Sequence, residues 1–403
     1  MLFLYFMNHP PLWVRRLSAF FNYSFPVLLA RRIKGSPAEQ PIPNLRTKPN
    51  LRFLVIKLDG AGDVILASPI FRLLKEAFPD STCSVVVKSR NRALLEYSPF
   101  IEELLSPTDT SRRRFRSLGE AEEIYRFYKK TLRDRYFDAI LYPRWDTDIY
   151  HGTLLLTLVD APVKIGYVDR TTFSKANFSP GMERSLTARL EPGLHSHEIT
   201  RNLGPVNALL EASGLQRTDI PGVEMFVSQA DREFALEIRA KIPEGMRPVA
   251  IAIGAQDYRR VWPMERWVET LQILGRRHRL YPLIFCIAPD RPRARKLQDG
   301  LNGEAMILDR TTWTQAAAVL EHVDLVLAND SGMGHVASSM KRRIVIVSPH
   351  PLFGFEPFGE NIHLLHPAAV LPPCTVQCRA PEPHCILQIT PEAVAAAAEE
   401  LLN

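Results

Sequence analysis

The chain has no interleaved run of aromatic and basic residues, no zinc-finger spacing and no RNA-binding signature. Its net charge is only +6 over 403 residues, too weak an excess to hold a nucleic acid by electrostatics. No nucleic-acid partner is expected. In residues 1–50 no apolar run reaches the ~18–20 residues a membrane span needs. Arg15 and Arg16 interrupt it, and Pro10 and Pro11 break any helix before them. The pattern of a secretory leader is also missing: positive charge does not precede the apolar run, and no small-residue cleavage site follows it. Cysteine is scarce and odd in number, five in all. Reduced thiols and a cytoplasmic location are therefore the expectation. There is no short internal repeat.

What is present is an ordinary globular composition, 46% hydrophobic and 23% charged, ample for sizeable cores. The length favours two domains over one. Residues 1–50 form a basic and aromatic extension with a linker. Arg15, Arg16, Arg31, Arg32, Lys34, Arg46 and Lys48 face a single acid, Glu39, and stand among Phe3, Phe6, Trp13, Phe20, Phe21 and Phe25. Two readings compete for residues 1–34: a helix packed on the body, or an interfacial anchor. Mixed aromatics and arginines tilt the choice toward peripheral membrane contact. Gly35–Asn50 is rich in proline and polar residues and serves as the linker.

From residue 51 an α/β alternation begins. Leu51–Leu58 is an apolar, β-branched run ending in Asp59-Gly60-Ala61-Gly62, with a helical pattern from Asp63 to Phe78 that Pro79-Asp80 stops. Thr82–Lys88 is a second strand, and a helix is expected near Asn91–Tyr97. This βαβ unit implies a parallel sheet. Strands at Phe137–Tyr142 and Val163–Tyr167 extend it, and Glu198–Ser213 repeats apolar residues near a 3.6 period. A second series follows the turn-rich Gln216–Gly222: strands Pro248–Ile253, Tyr281–Ala288, Asp324–Ala328 and Ile344–Ser348, with a closing helix Pro391–Leu402. The expected organisation is residues 1–50 as extension, 51–222 as an N-terminal Rossmann-like domain and 223–403 as a C-terminal one. Ligands bind beyond the carboxyl ends of parallel strands, so the cleft between the domains is the expected site.

Gly60-Ala61-Gly62-Asp63-Val64-Ile65 offers two glycines of a dinucleotide fingerprint but has Ile65 where the third belongs. Asp63 would set a carboxylate where a pyrophosphate should sit, repelling it and taking the favourable end of the helix dipole. NAD or FAD binding is therefore not expected. Asp63 reads either as a helix N-cap or as a carboxylate at the mouth of a cleft, held by a glycine loop that lets substrate approach. The cap is favoured in isolation, and the two readings are compatible.

Asn329-Asp330-Ser331-Gly332-Met333-Gly334-His335 follows a buried strand and opens a helix. Ser331 and the N–H groups of Gly332–Gly334 suit a phosphate. Asp330 could orient the loop or a sugar hydroxyl, and His335 could donate to a phosphate oxygen. Capping alone for Ser331 and a satisfied helix histidine for His335 are the bland alternatives. The loop Gln256–Pro263 sets Arg259 and Arg260 beside Trp262-Pro263, where a cation could neutralise a leaving diphosphate. Asp290 is a candidate for ribose hydroxyls and equally a cap or turn residue.

Taken together, five ordered stretches resemble glycosyltransferase family 9, the ADP-heptose:lipopolysaccharide heptosyltransferase group. They are Phe53–Pro69 (FLVIKLDGAGDVILASP), Asp138–Tyr167 ending in KIGY, His197–Leu203 (HEITRNL), Gly254–Pro263 (GAQDYRRVWP) and Asp324–Ala337 (DLVLANDSGMGHVA). The tail from Cys374 (CTVQCRAPEPHCILQITPEAV) is similar to that of many members. The resemblance covers about residues 51–403. It implies the GT-B fold, two facing Rossmann-like domains with parallel sheets and an inter-domain cleft. The implied activity is inverting, metal-independent and cofactor-free transfer of a sugar from a nucleotide-sugar donor, ADP-heptose by family precedent, to a lipopolysaccharide core or related lipid-linked glycan acceptor. That work would take place at the inner face of the cytoplasmic membrane.

In that picture Asp63 is the catalytic base, Gly60 and Gly62 form the acceptor-side loop, and Arg260, Gln256, Asp290, Asp330, Ser331, Gly332, Met333 and His335 bind the donor. Arg260 stands where the family usually has lysine, which keeps the charge and changes the fork geometry. Val261 replaces a common basic or polar residue, and Ser331 a more frequent threonine. Cys374, Cys378 and Cys385, with His384 adjacent, could ligate a structural zinc. Irregular spacing ranks that below buried or redox-capable thiols, so no metal is the expectation. The rival functions are a catalytically silent nucleotide- or glycan-binding protein on the same fold, and a GT-B nucleotide-sugar epimerase.

Overall fold

The computed structural model describes residues 16, 18–108, 116–191, 193, 197–216, 219–255, 257–372, 374, 380 and 382–403. By contacts the chain divides into two compact units. The first holds Met1–Asp59, Pro69–Arg92 and Ser98–Ile220; the second holds Gly60–Ser68, Ala93–Tyr97 and Pro221–Asn403. The Gly60 loop and the short helix after it thus group with the C-terminal half of the sequence.

Each unit is built on one six-stranded, all-parallel sheet. The first contains β1 (Arg52–Lys57), β2 (Thr82–Val87), β3 (Glu103–Leu105), β4 (Ala139–Tyr142), β5 (Val163–Tyr167) and β6 (Ala188–Leu190), in the order β3-β2-β1-β4-β5-β6. The second contains β7 (Arg247–Ala252), β8 (Leu280–Phe285), β9 (Met306–Leu308), β10 (Leu325–Asn329), β11 (Ile344–Val347) and β12 (Ile362–Leu365), in the order β12-β11-β10-β7-β8-β9. Numbered within its own unit, each is the doubly wound order 3-2-1-4-5-6, whose direction of winding reverses between the first and fourth strands. The two reversal points are β1/β4 and β7/β10.

The sequence makes these strands because it gives them unbroken apolar runs. Phe53, Leu54, Val55 and Ile56 of β1, and Leu325, Val326, Leu327 and Ala328 of β10, are fully buried, as expected of a sheet covered by helices on both faces. The expected helix from Asp63 to Phe78 is two helices, Ala61–Ile65 and Pro69–Ala77. Pro69 supplies no N–H and disfavours helical backbone at Ser68, so the pattern breaks there. The helix expected at Asn91–Tyr97 is only a 3-10 segment, Ser89–Leu94.

At the N-terminus, a π-helical turn Phe20–Ser24 runs into a helix Phe25–Lys34. One face enters the first unit's core through Val27 and Ala30, and Arg31 Nη1 donates to Gly181 O at 2.7 Å. The helix is therefore packed on the body. Its other face leaves Phe21, Phe25, Leu28, Leu29 and Ile33 exposed. Among the described residues no helix is long and apolar enough to cross a membrane.

Candidate functional site

In the second unit, the loops after β7 and β10 converge at the reversal point of the sheet. Asn329, fully buried at the end of β10, ties them together. Its Oδ1 accepts the Trp262 N–H at 3.0 Å, and its Nδ2 donates to Ile253 O at 2.7 Å. Trp262 is itself wholly buried and packs edge-on against Trp267 at 4.6 Å between ring centroids. The Asp257–Val261 loop is thus clamped from one side by an amide and from the other by a tryptophan.

The two arginines of this loop take different partners. Arg259 turns back on Asp257 with two parallel contacts, Nε–Oδ1 at 2.9 Å and Nη2–Oδ2 at 2.6 Å. Arg260 Nη1 reaches Asp330 Oδ2 at 2.9 Å. Burial pushes the Asp330 carboxyl above its ordinary range, and Arg260 pulls in the opposite direction without cancelling that effect. Arg260 remains 39% exposed at its side chain, so it can meet a ligand while held by Asp330.

Ser331 occupies the N-cap position of the helix Gly332–Ser339, but its hydroxyl does not cap it. Its Oγ is buried and has no hydrogen-bond partner among the described residues. Capping therefore does not account for Ser331, and an orphaned buried hydroxyl is the kind of group a ligand oxygen satisfies. Met333 is half-buried beside it. His335 is buried one turn into the same helix.

The Gly60 loop interlocks with this helix inside the same unit. A Cβ at Gly62 would stand 2.6 Å from the His335 ring, and one at Gly332 would stand 3.1 Å from Ala61 Cβ. The first approach requires glycine; the second leaves a Cβ only a tight fit. Gly60, not Asp63, is the N-cap residue of Ala61–Ile65. Asp63 sits three residues in, and its Oδ2 accepts the Gly60 N–H at 3.1 Å. The favoured reading of Asp63 as N-cap is thus corrected: the carboxylate closes the loop from within the first turn. It is half-buried, against the element that carries His335. Asp290, after β8, is the N-cap residue of the helix that follows, but its side chain makes no capping hydrogen bond among the described residues. It accepts from Arg293 at 2.8 Å, and its Oδ2 lies 3.3 Å from where a Gly254 Cβ would be. It therefore stands against the loop after β7. Gln256 lies outside the described residues.

The first unit holds a polar cluster at its own reversal point that sequence reasoning did not single out. Lys57 ends β1 almost fully buried. Its Nζ lies 2.8 Å from Asn202 Oδ1 and 3.4 Å from both Asp59 Oδ2 and Glu198 Oε1. Arg144, after β4, also pairs with Asp59. Glu198 Oε2 accepts the Trp145 indole N–H at 2.5 Å, and the Arg201 guanidinium lies 3.7 Å from the Trp145 ring centroid. Burial raises the Asp59 carboxyl, but Lys57 and Arg144 outweigh it and hold it at about 2. Beside the cluster, Lys88 Nζ stands 3.1 Å over the Tyr150 ring, pushed down to about 8 by burial and Arg90. The available signal was a lysine inside an apolar strand, which needs a carboxylate partner somewhere. HEITRNL contains that partner, 141 positions away.

The side chains of Lys57, Asp59 and Glu198 are only 1%, 3% and 4% exposed. Removing one member of so buried a set costs about 3–5 kcal/mol. Lys57→Met is therefore expected to lower stability by that order in urea unfolding, with Lys57→Met/Glu198→Gln recovering part of it. A loss under about 1 kcal/mol would contradict the account. Asp59 also gives a pH signature. Its folded value lies below its unfolded one, so its contribution is present above pH ~4 and is lost as pH falls toward 2.

Among the five cysteines, Cys83 and Cys286 lie in and just after strands, with burial pushing both thiols up. Cys374 and Cys385 are buried with His384 beside them. Cys378 lies outside the described residues, as do residues 1–15 and 17 of the N-terminal extension.

Comparison with known proteins agrees with this architecture. Lipopolysaccharide core heptosyltransferase OpsX of Haemophilus influenzae is 22% identical over 296 residues, covering 72% of this chain and 77% of that protein. A glycosyl transferase family 9 structure from Veillonella parvula superposes with a TM-score of 0.70 at 21% identity, covering 88% of this chain and 98% of the other. The structure of E. coli heptosyltransferase WaaC with ADP gives 0.66 at 18% identity, covering 87% and 100%. The paired Rossmann-like sheets are those of the GT-B fold. Residues 125–366, more than half of the chain, match the model of glycosyltransferase family 9 (heptosyltransferase), and the protein belongs to that family of glycosyltransferases.

Proposed function

We propose that the protein transfers a heptosyl residue from ADP-heptose, with inversion and without a catalytic metal, to a lipopolysaccharide core or related lipid-linked glycan. The carrying observation is that Asp63, Ser331, His335 and the Arg260–Asp330 pair belong to one compact unit and gather around one sheet reversal point. Asp63 takes the proton of the acceptor hydroxyl as its oxygen bonds to the anomeric carbon. The bond from that carbon to the diphosphate breaks, and the electron pair leaves with ADP. Arg260, the Ser331 hydroxyl and the first N–H groups of Gly332–Ser339 are suited to the negative charge that grows there. These groups supply the counter-charge that a metal would otherwise bring. The donor nucleotide is supported by the WaaC neighbour solved with ADP, and the acceptor class by the lipopolysaccharide relative. In the first unit, Lys88 and Arg144 beside the Tyr150 ring form a basic patch beyond the strands' carboxyl ends, suited to an anionic acceptor.

A thermal-shift screen of ADP-, GDP- and UDP-sugars should show the largest rise in melting temperature with the ADP-sugar, because only a ligand of the native state stabilises it. Radiolabelled ADP-heptose should then yield label on the glycan with the anomeric configuration inverted. Label recovered only as an epimerised nucleotide sugar, or no turnover of any donor, would defeat the reading.

The N-terminal helix suggests where the reaction takes place. Phe21, Phe25, Leu28, Leu29 and Ile33 recur along one exposed helix face next to Arg32, and the surrounding sequence is basic. An anionic lipid surface at the inner face of the cytoplasmic membrane is the occupant that matches both properties. Co-sedimentation with phosphatidylglycerol vesicles should fall at least tenfold in Phe21→Ser/Leu29→Ser/Ile33→Ser, with donor affinity unchanged. Equal binding by the variant would remove the anchor from the proposal.

A further inference from the structure

The C-terminal segment between β12 and the last helix carries a cluster that the transfer reaction does not use. The Sγ atoms of Cys374 and Cys385 and a ring nitrogen of His384 all lie within 4.8 Å of one another. Both cysteines are buried, and with Ala380 they form a small cluster apart from the main core. Cys385 Sγ and His384 Nδ1 are 3.6 Å apart. Tetrahedral zinc, with Zn–S ~2.3 Å and Zn–N ~2.0–2.1 Å, sets its sulfur and nitrogen ligands about 3.6 Å apart. The Leu371 N–H also donates to Cys385 Sγ at 3.4 Å. Such a bond stabilises a thiolate and orients it, as outer-shell donors do around metals.

We propose that Cys374, His384 and Cys385 bind a structural zinc ion. Two thiolates and an imidazole are a soft donor set that selects zinc over magnesium or calcium, and one tetrahedral position remains for a further donor. Binding joins residues eleven apart in sequence and displaces the thiol protons. The cross-link sits at the start of the stretch, residues 386–389, that supports the Arg260 loop. Ile386 and Ile389 enter the second unit's core, the Trp262 indole donates to Ile389 O at 3.2 Å, and Arg266 Nη1 donates to Leu387 O and Ile389 O at 2.7 and 2.6 Å. Trp262 lies two residues past Arg260. The ion thus acts as a positioning element for the Arg260 loop, with no part in bond making.

The test is metal analysis of the full chain, purified without affinity resin metals or added zinc. About one zinc per chain is expected. Cys374→Ser and Cys385→Ser should each lose it, and His384→Ala should bind it more weakly. Because a cysteine variant can fail by misfolding, the wild-type protein provides a second measurement. After zinc removal, cobalt(II) should produce a thiolate-to-cobalt charge-transfer band and the intense visible bands of a tetrahedral site, and zinc should bleach both. Chelation should also increase proteolysis within residues 369–389. Metal content well below stoichiometry with no cobalt spectrum, or a Cys374–Cys385 disulfide found by peptide mapping, would overturn the site. These readouts are independent of turnover, so they stand or fall separately from the transferase reading.

Discussion

Asp63→Asn is expected to reduce turnover by about 10²–10⁴-fold, the range for losing a positioned general base, while donor affinity stays within a few-fold. Asparagine is chosen because its amide oxygen can still accept the Gly60 N–H that Asp63 Oδ2 accepts at 3.1 Å. The loop should remain closed and the melting temperature nearly unchanged. What disappears is a group able to take the acceptor proton. If the effect of Asp63 were structural, through the first turn of Ala61–Ile65, the asparagine variant would be nearly as active as wild type and only Asp63→Ala would be impaired. If Asp63 is the base, both fall together. Steady-state kinetics on the two variants, with donor affinity measured by thermal shift, decides between these outcomes. A loss of less than tenfold in Asp63→Asn would remove Asp63 from the chemistry.

Elements buried on both faces were legible in the sequence, and elements at sheet edges were not. The central strands β1, β7, β10 and β11 appear as continuous apolar runs, because helices cover both sides of their sheets. The edge strands β3 and β9 and the edge strand β6 have three residues each, too few to establish a period. The Asn329–His335 loop, to which the proposal assigns the donor, could be singled out because its residues are contiguous. The Lys57–Asp59–Arg144–Glu198 cluster is drawn from three distant segments, and no spacing rule connects them. Asp63 shows a finer limit. The sequence marked it as special, but whether it caps the helix or closes the loop depends on where the helix begins, and it begins at Ala61, with Gly60 as N-cap. The His384 contribution to the cysteine cluster was visible only as adjacency, and the fold brings Cys374 to it across a ten-residue gap.

Arg260→Ala should separate binding of the leaving group from stability. Losing one charged donor to the departing diphosphate is expected to reduce turnover by about 10²–10³-fold, and donor affinity should fall with it. The stability cost should be small. Arg260 is 39% exposed, so its 2.9 Å pair with Asp330 is screened and falls in the range of about 1 kcal/mol or less. That small cost should depend on pH in a definite direction. Burial already raises the Asp330 carboxyl, and Arg260 is the largest influence opposing it. Without the arginine the folded-state value rises further above the unfolded one. The folded state then binds the proton more readily, and stability falls as pH rises through that window. The stability deficit of Arg260→Ala relative to wild type should therefore be largest near neutral pH and shrink on acidification. Adding Asp330→Asn should remove the deficit at neutral pH without restoring turnover. Arg260→Lys keeps the charge but loses the planar fork, so it should fall between wild type and alanine in kcat. If Arg260→Ala/Asp330→Asn recovered activity along with stability, the arginine would be only a structural partner of Asp330, and the counter-charge for the diphosphate would have to come from the helix N-terminus at Gly332 alone.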